Sequence, residues 1–461
     1  MIKSFIKYLY DLLTTGPLKK AFQALIATFP SFEPFVRQTQ VRLFDWYLVK
    51  PRVVQLRAQA TPKLLFVDVS FLVLEDLKTG IQRVTRSILL QLLSHAPTGY
   101  EIQAVYGDRH VGYKAALMTQ DAQGRLTLSR STELRAIEVS PGDIFLGLDF
   151  ACVTTLKEQN YLSKIRAAGV KVYFVVYDLL PVQFPGYFPS SSKDFHARWL
   201  RTLVKFDGAI CISKAVADDY QDWLRTNSIS VSDTFKTTYF HLGADLNNSS
   251  PSKGLPAEAE QTLRTFSQRP TFLMVGTLEP RKGYRQILEA FTLLWQEHQD
   301  INLLIVGKVG WNISDVADMI HRHPELDKKL FWLKGITDEY LEKIYAASTC
   351  LIAASEGEGF GLPIIESAQH GIPVILRDIP VFREVAGDGA FYFGGQVPLA
   401  LQGTPQFALQ HPALTEVQNV ADSIKTWLAL YQTGQHPLSS GIGYNTWQQS
   451  VEQLKESFVV Q

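Results

Sequence analysis

Short apolar runs alternate with longer amphipathic stretches from residue 61 onward. The apolar runs of the first half are residues 64–69, 102–106, 144–148, 170–177, 209–213 and 237–242, and helical patterns include 81–94, 155–168, 192–205 and 214–225. Short, nearly continuous apolar strands separated by helices are typical of a parallel sheet that is covered on both faces. The first half therefore predicts a doubly wound, Rossmann-like α/β domain over residues 61–250.

A polar stretch rich in Ser, Pro and Asn, residues 246–256, precedes a second half with the same alternation. Its predicted strands are 271–275, 302–306, 330–333, 350–353, 374–376 and 390–393, and its predicted helices are 283–298, 315–322, 337–347, 363–370 and 417–432. This pattern predicts a second doubly wound domain over residues 265–435. A last helical pattern within residues 440–461 is expected to pack back on the N-terminal domain. Ligands of such sheets bind outside the carboxyl ends of the strands, so we expect the site in the cleft between the domains.

The composition is that of a globular protein with more than one domain. The chain has 461 residues, of which 46% are apolar and 20% are charged. The formal net charge is zero, so no overall field attracts nucleic acid, and we expect no nucleic-acid partner. The three cysteines are widely spaced and odd in number, which favours a reducing compartment without a disulfide framework.

Residues 1–60 are basic and are predicted to form a helical extension. They hold nine Lys or Arg residues against three acids, a local net charge of +6. Apolar residues recur at helical spacing within residues 1–13, so this segment either lies on an anionic membrane surface or packs on the protein itself. No apolar run is long enough to span a membrane, and no convincing signal peptide is present. We therefore expect a cytoplasmic protein, with peripheral attachment to the inner face of the membrane as the alternative.

Residues 356–366 combine two carboxylates with a glycine-rich turn. Glu358 and Glu366 bracket the turn, which leads into a helix whose first turn contains Pro363. The free N–H groups at a helix N-terminus favour a phosphate, and ionised carboxylates accept hydrogen bonds from hydroxyls. The segment therefore predicts a ligand with both phosphates and many hydroxyls, such as a nucleotide sugar.

A basic pair follows the first predicted strand of the second half. Arg281 and Lys282 lie where a helix begins, and cations at that end oppose the helix dipole. An anion such as a diphosphate would account for them, because Arg grips it in a bidentate manner and Lys adds a point charge. A solvated surface pair is the alternative, but the nearby predicted phosphate loop favours diphosphate binding.

The spacing of Glu358 and Glu366 resembles the hallmark of retaining, nucleotide-sugar-dependent glycosyltransferases of the family-4 type, also called glycosyl transferases group 1. The similarity extends through residues 276–283 and 371–375 and, more weakly, through 212–214 and 241–245. It covers about residues 61–450. The resemblance implies the GT-B fold, in which two Rossmann-like domains face a cleft.

The resemblance also implies roles for residues of the second half. Glu358 would contact the transferred sugar near its anomeric carbon, and Glu366 would accept hydrogen bonds from the ribose hydroxyls. Backbone N–H groups of Phe360, Gly361 and Leu362 would hold the distal phosphate, while Arg281 and Lys282 would neutralise the leaving diphosphate. Many relatives carry an arginine where this chain has Thr277, and Arg281 is expected to replace it.

Four residues of the first half are candidates for the site: Gly80 for donor binding, Arg83 and Tyr177 on the acceptor side, and Asp178 for catalysis. Gly80 fits the glycine loop that relatives place close to the donor phosphate, and Arg83 is either an acceptor contact or a surface charge. Tyr177 stands where many relatives have a histidine near the sugar. Asp178 is a catalytic candidate, although it could equally cap the turn that follows it.

The implied reaction transfers a sugar, with a weak preference for mannose, from its nucleotide diphosphate to a hydroxyl of a glycan or lipid-linked saccharide. Such a reaction would serve polysaccharide or glycolipid biosynthesis and would need no cofactor. The chain has no Asp-x-Asp motif and no His/Cys ligand cluster, so no metal is expected. Alternatives are a catalytically silent sugar-nucleotide-binding partner and another GT-B enzyme such as a phosphorylase or an epimerase.

Overall fold

The structure is a computed structural model that describes residues 52–58, 62–75, 79–120, 126–245, 252–394 and 414–459. The apolar stripe within residues 1–13 lies outside this range, and so does most of the predicted basic extension. The described residues form two α/β units, each built around its own central sheet.

The first sheet has seven strands within the described part of the chain, in the order β7-β6-β5-β4-β1-β2-β3. All neighbours are parallel except β2 and β3, which run antiparallel at one edge. The strands are β1 Lys63–Asp68, β2 Tyr100–Asp108, β3 Gly112–Ala115, β4 Ile144–Gly147, β5 Lys171–Val176, β6 Gly208–Cys211 and β7 Lys236–Tyr239. Small strands outside this sheet pair Gln55–Leu56 with Glu138–Val139 and Leu117–Gln120 with Leu126–Ser129.

Helices cover both faces of this sheet because the buried side chains of each strand alternate between the two faces. Leu65 and Val67 belong to one apolar cluster, whereas Phe66 between them belongs to the other. The helices of this half are α1 Ser70–Leu74, α2 Gly80–Ser94, α3 Cys152–Ala167, α4 Leu180–Gln183, α5 Ser192–Leu203 and α6 Lys214–Thr226. The predicted doubly wound arrangement is therefore confirmed for this half.

The second sheet is formed by six parallel strands among the residues described, in the order β10-β9-β8-β11-β12-β13. They are β8 Thr271–Val275, β9 Asn302–Val306, β10 Leu330–Leu333, β11 Cys350–Ala353, β12 Val374–Arg377 and β13 Phe391–Phe393. The associated helices are α7 Ala259–Phe266, α8 Tyr284–Gln296, α9 Ser314–His321, α10 Asp338–Ala347, α11 Leu362–Gln369, α12 Pro380–Ala386 and α13 Leu414–Gln432. The chain moves outward from β8 through β9 to β10 and then returns to β11, so a topological switch point lies between β8 and β11.

The last helix, α14 at Trp447–Glu456, returns to the first unit. Its Trp447 and Leu454 share an apolar cluster with Leu92 of α2. The entry to α14 is fixed by Asp245, whose carboxylate accepts a hydrogen bond from the Trp447 backbone N–H at 2.5 Å. Within the described residues, the chain therefore passes between the two units near residues 245 and 445. Of the helices described, none combines the length and the apolar character that a membrane span requires.

Candidate active site

The two motifs of the second half meet at the switch point of its sheet. Strands β8 and β11 are hydrogen-bonded neighbours, with Phe272 opposite Cys350 and Leu273 opposite Leu351. Because they are parallel, the loops that follow them, residues 276–283 and 354–361, leave the same edge of the sheet. This topology brings the basic pair to the carboxylate of Glu358 although 76 residues separate them.

Glu358 is held by two cations and a hydroxyl. Arg281 Nη1 lies 3.1 Å from its Oε2, Lys282 Nζ contacts its Oε1, and Ser355 Oγ donates to Oε1 at 2.8 Å. Burial alone would raise the pKa of Glu358, but Arg281 and Lys282 outweigh burial and lower the pKa to about 2. The carboxylate is therefore ionised at every physiological pH.

Arg281 also contacts a second carboxylate that sequence reasoning missed. Its Nη2 lies 2.9 Å from Glu279 Oε2, and its Nη1 donates to the Gly357 carbonyl at 2.9 Å. The Glu279 side chain is 8% exposed, so Glu279 is a buried ion-pair partner of Arg281 rather than a solvent-exposed carboxylate. Glu279 lies two residues before Arg281 within residues 276–283, and this proximity is the feature of the sequence that could have identified it. Two cations and two carboxylates thus balance one another at this edge of the sheet.

The N-terminus of α11 faces the same region. Gly361 precedes the helix with φ of 106°, a left-handed conformation that favours glycine. In the described part of the chain, the backbone N–H groups of Phe360, Gly361 and Leu362 donate no hydrogen bond to the protein. Free N–H groups and the helix dipole together make this turn suited to an anion.

Glu366 lies one turn into α11 and is covered from both sides. Its side chain is 2% exposed, Tyr345 donates to its Oε2 at 2.7 Å, and the Arg83 guanidinium contacts its Oε1. Burial would lower the pKa of Arg83, but the charge of Glu366 and its hydrogen bond raise the pKa above its ordinary value. Sequence reasoning did not connect Arg83 with Glu366, and it gave no role to Tyr345.

Gly80 and Arg83 lie in the first turn of α2. A capping box formed by Thr79 and Gln82 fixes this helix start, with reciprocal side-chain to backbone hydrogen bonds of 3.3 Å each. A Cβ added at Gly80 would meet no protein atom within 4 Å. The protein itself therefore does not require glycine at position 80.

Tyr177 and Asp178 follow β5 at the cleft but differ in orientation. The Tyr177 side chain is 2% exposed, and its hydroxyl donates to the Leu148 carbonyl at 2.9 Å within the first unit. Asp178 Oδ1 accepts from the Leu180 N–H at 3.1 Å, which is the capping arrangement considered as its alternative role. Burial would lower the pKa of Arg281, but the charges of Glu358, Glu279 and Asp178 raise the pKa above its ordinary value.

The two units touch directly around the 354–361 loop. Ser213 Oγ donates to the Gly359 carbonyl at 2.8 Å, and Tyr187 donates to Glu356 Oε2 at 2.6 Å. A Cβ at Gly359 would lie 2.0 Å from the Tyr177 carbonyl oxygen, so a glycine is needed for this close approach. The loop with Glu358 is therefore enclosed by residues of both units.

A second cross-unit contact centres on Glu384 of α12. Its carboxylate accepts hydrogen bonds from the backbone N–H groups of Lys214 at 2.6 Å and Ala215 at 2.7 Å, and it lies 2.7 Å from His241 Nε2. Glu384 thus satisfies the first N–H groups of α6 from the opposite unit, as a capping residue does. No motif in the sequence indicated this role.

The residues described contain no group of three or more His, Cys, Asp or Glu arranged to hold a metal ion. The acids near Arg281 instead face cations, as the pairs with Glu279 and Glu358 show. The side chains assembled here suit an anionic, hydroxyl-bearing ligand held by cations, carboxylates and a helix N-terminus.

The fold and the site define a class of protein. Residues 257–396 match the family model for glycosyl transferases group 1. Solved structures of the same fold include sucrose-phosphate synthase from Thermosynechococcus elongatus, with a TM-score of 0.56 and 14% identity over 87% of this chain and 97% of that one. A glycosyltransferase from Rickettsia africae has a TM-score of 0.53 and 15% identity over 86% of this chain and 97% of its own. The described residues have the GT-B fold that the sequence predicted, and residues 257–396 contain a region of the glycosyl transferases group 1 family.

Curated relatives make the comparison more specific. The serotype-specific mannosyltransferase WbdA of Escherichia coli is 41% identical over 408 residues, which are 87% of this chain and 47% of WbdA. The O-antigen chain mannosyltransferase B of Escherichia coli is 32% identical over 157 residues, 34% of this chain and 40% of that protein. The chain therefore spans about half the length of WbdA.

Proposed function

We propose that the chain transfers a sugar, preferably mannose, from a nucleotide diphosphate donor to a hydroxyl of a glycan or lipid-linked saccharide, with retention at the anomeric carbon. The observation that carries the proposal is the cluster of Arg281, Lys282 and Glu358 beside the free N-terminus of α11. The preference for mannose rests on the similarity to relatives named as mannosyltransferases.

The proposed chemistry follows from the charges at this edge of the sheet. The diphosphate gains negative charge as it leaves, so Arg281, Lys282 and the N–H groups at residues 360–362 stabilise the transition state more than the bound donor. Glu358 is ionised, as its lowered pKa requires, and it accepts hydrogen bonds from the sugar. Glu366 accepts hydrogen bonds from the ribose, and the departing phosphate helps to deprotonate the acceptor. We propose no metal in this reaction.

Asp178 and Tyr177 take different parts in this proposal. The Asp178 carboxylate lies on the acceptor side and acts on Arg281 through its charge. The Tyr177 side chain supports the wall of the cleft, because its hydroxyl is held by Leu148 in the interior. Gly80 leaves space at the start of α2 that a donor phosphate can use.

The donor is identified by incubating the protein with guanosine, uridine and deoxythymidine diphosphate sugars and measuring release of the nucleoside diphosphate. One sugar nucleotide is expected to turn over, and the configuration of the product at its anomeric carbon reports retention. Lys282→Ala is expected to lower kcat/KM roughly 100-fold, because loss of one charge-stabilising group costs about 3 kcal/mol of barrier. Full activity of both Lys282→Ala and Glu358→Ala would contradict the assigned site.

A matched control is Lys425→Ala, since this lysine pairs with Glu297 and Asp422 on the surface of the second unit. Its activity should stay near that of the unaltered protein. Binding of a donor without turnover, for any acceptor supplied, would favour the silent sugar-nucleotide-binding partner instead.

A further inference from the structure

Glu366 is enclosed by groups from both units. Tyr345 of its own unit donates to Oε2 at 2.7 Å, while Arg83 of the opposite unit contacts Oε1. Only 2% of the Glu366 side chain is exposed. A buried carboxylate needs such partners, because an uncompensated charge in the interior is strongly unfavourable. A ligand hydroxyl can reach this carboxylate only by taking the place of a present partner.

Of these two partners, Arg83 is the one that can be replaced. Tyr345 is fully buried on α10, whereas the Arg83 side chain is 23% exposed and comes from the other side of the cleft. The Arg83 contact to Glu366 uses Nη2, and its buried Nε has no acceptor among the described residues. In the part of the chain that the structure describes, the guanidinium therefore contacts Glu366 through Nη2 alone, while its Nε–H lies in the same cleft without a hydrogen-bond acceptor.

The start of α2 fixes where this guanidinium can go. Arg83 is the fourth residue of the helix, and the Thr79–Gln82 capping box sets the direction of the first turn. Gln82 Nε2 also donates to the Glu75 carbonyl at 2.6 Å, which ties the helix start to the preceding segment. A guanidinium that leaves Glu366 therefore stays within reach of the cleft, because these hydrogen bonds hold the start of α2.

We propose that Arg83 is a specificity-determining residue that competes with the ribose hydroxyls of the donor for Glu366. The proposal rests on the proposed function, because it takes Glu366 as the acceptor for ribose. A nucleoside diphosphate with ribose hydroxyls replaces the guanidinium at Oε1 and so offsets the loss of the ion pair. Arg83 therefore weakens binding of the correct nucleotide and disfavours ligands that offer the carboxylate no hydroxyl.

The test measures the Kd of GDP, UDP and dTDP by calorimetry for four proteins: unaltered, Arg83→Met, Glu366→Gln and the double variant. Arg83→Met removes the competitor and leaves an uncompensated carboxylate, so the Kd of the preferred nucleotide should fall about tenfold. In the Glu366→Gln background, Arg83→Met should change the Kd less than twofold. The control is Arg225→Met, which removes a guanidinium from an exposed pair with Asp222 and should leave the Kd unchanged.

The outcomes separate the inference from the proposed function. If the unaltered protein binds none of the three nucleotides, both are wrong. If it binds one of them but Arg83→Met binds it equally or more weakly, competition is wrong and the proposed function stands. An effect of equal size in the Glu366→Gln background would show that Arg83 acts on the nucleotide directly, which also overturns the inference. Should Arg83→Met fail to fold, Arg83→Lys replaces it, with a smaller decrease in Kd expected.

Discussion

Replacing Glu384 by glutamine should release the N-terminus of α6 from the opposite unit. In the folded protein the carboxylate accepts from the N–H groups of Lys214 at 2.6 Å and Ala215 at 2.7 Å. Burial would raise its pKa, but the hydrogen bonds of His241, Ala215 and Lys214 lower the pKa below its ordinary value. A carboxylate whose pKa is lower in the folded protein than in the unfolded chain contributes its full stabilisation at pH values above the unfolded pKa. The Glu384 contacts are therefore intact at pH 7.

The size of the effect follows from those contacts. Hydrogen bonds to a charged group contribute about 1.5–3 kcal/mol each. Glutamine keeps one acceptor oxygen without the charge and turns an amide NH₂ toward the second N–H, so the local loss is about 3 kcal/mol. At 1.4 kcal/mol per factor of ten, hydrogen exchange of the Lys214 and Ala215 amides should accelerate roughly 100-fold.

The assay is amide hydrogen exchange of Glu384→Gln, with Glu260→Gln as its control because Glu260 forms an exposed pair with Arg264. Acceleration should be confined to the first turn of α6 and the neighbouring contact between the units. Unchanged exchange at residues 214 and 215 would refute the capping role of Glu384. Equal acceleration across the whole protein would refute the claim that the effect is local.

Three further predictions follow from other parts of the structure. Burial raises the pKa of Asp68 to about 7, so the folded protein binds this proton more tightly than the unfolded chain does. The contribution of Asp68 to the free energy of unfolding should therefore fall by about 4 kcal/mol as the pH rises from about 4 to 7. Denaturant unfolding at pH 5 and pH 8 should show a shallower pH dependence for Asp68→Asn, and an unchanged slope would contradict this assignment. Gly359→Ala places a Cβ 2.0 Å from the Tyr177 carbonyl oxygen, so the strain falls on the contact between the two units. Turnover should decrease at least roughly tenfold with little change in Tm. Normal turnover would count against a close contact of the units at Gly359. Trp447→Ala removes a buried side chain of α14 that is 1% exposed. Thermal or denaturant unfolding should show a loss of about 3–5 kcal/mol in the free energy of unfolding. A loss below about 1 kcal/mol would mean that α14 packs loosely.

The pattern of apolar and polar residues along the chain correctly predicted the strands of the second half. The expected strands at 271–275, 302–306, 330–333 and 350–353 coincide with β8, β9, β10 and β11. These strands are apolar along their whole length because helices cover both faces of the sheet. Their common direction then placed Arg281 and Lys282 near Glu358 without knowledge of any side-chain contact.

Elements held by tertiary contacts escaped the same reasoning. Strand β3 contains Lys114, which breaks the apolar pattern although it is 3% exposed and donates to the Ser131 carbonyl at 2.9 Å. Helix α1 is short, and its first amides are held by Asp68 and Asp149, at 2.9 Å from Ser70 and 2.6 Å from Leu72. Neither arrangement leaves a periodic signal in the sequence.

Contacts between the two units were beyond prediction for a related reason. Arg83 and Glu366 are 283 residues apart and lie on different sheets, so their meeting depends on how the units are placed. The Glu384 contact with α6 depends on the same placement. Periodicity and motif spacing describe each unit separately and carry no information on their relative position.

The return of α14 to the first unit has a consequence for the order in which the protein can fold during synthesis. Helix α14 packs on one face of α2, and its buried Trp447 and Leu454 belong to the same apolar cluster as Leu92 of α2, although the ribosome adds them more than 350 residues later. The first unit therefore leaves the ribosome with part of its core uncovered and must wait until the second unit has been made. A nascent chain arrested before residue 447 should accordingly bind chaperones through this face, whereas one extended past residue 459 should not.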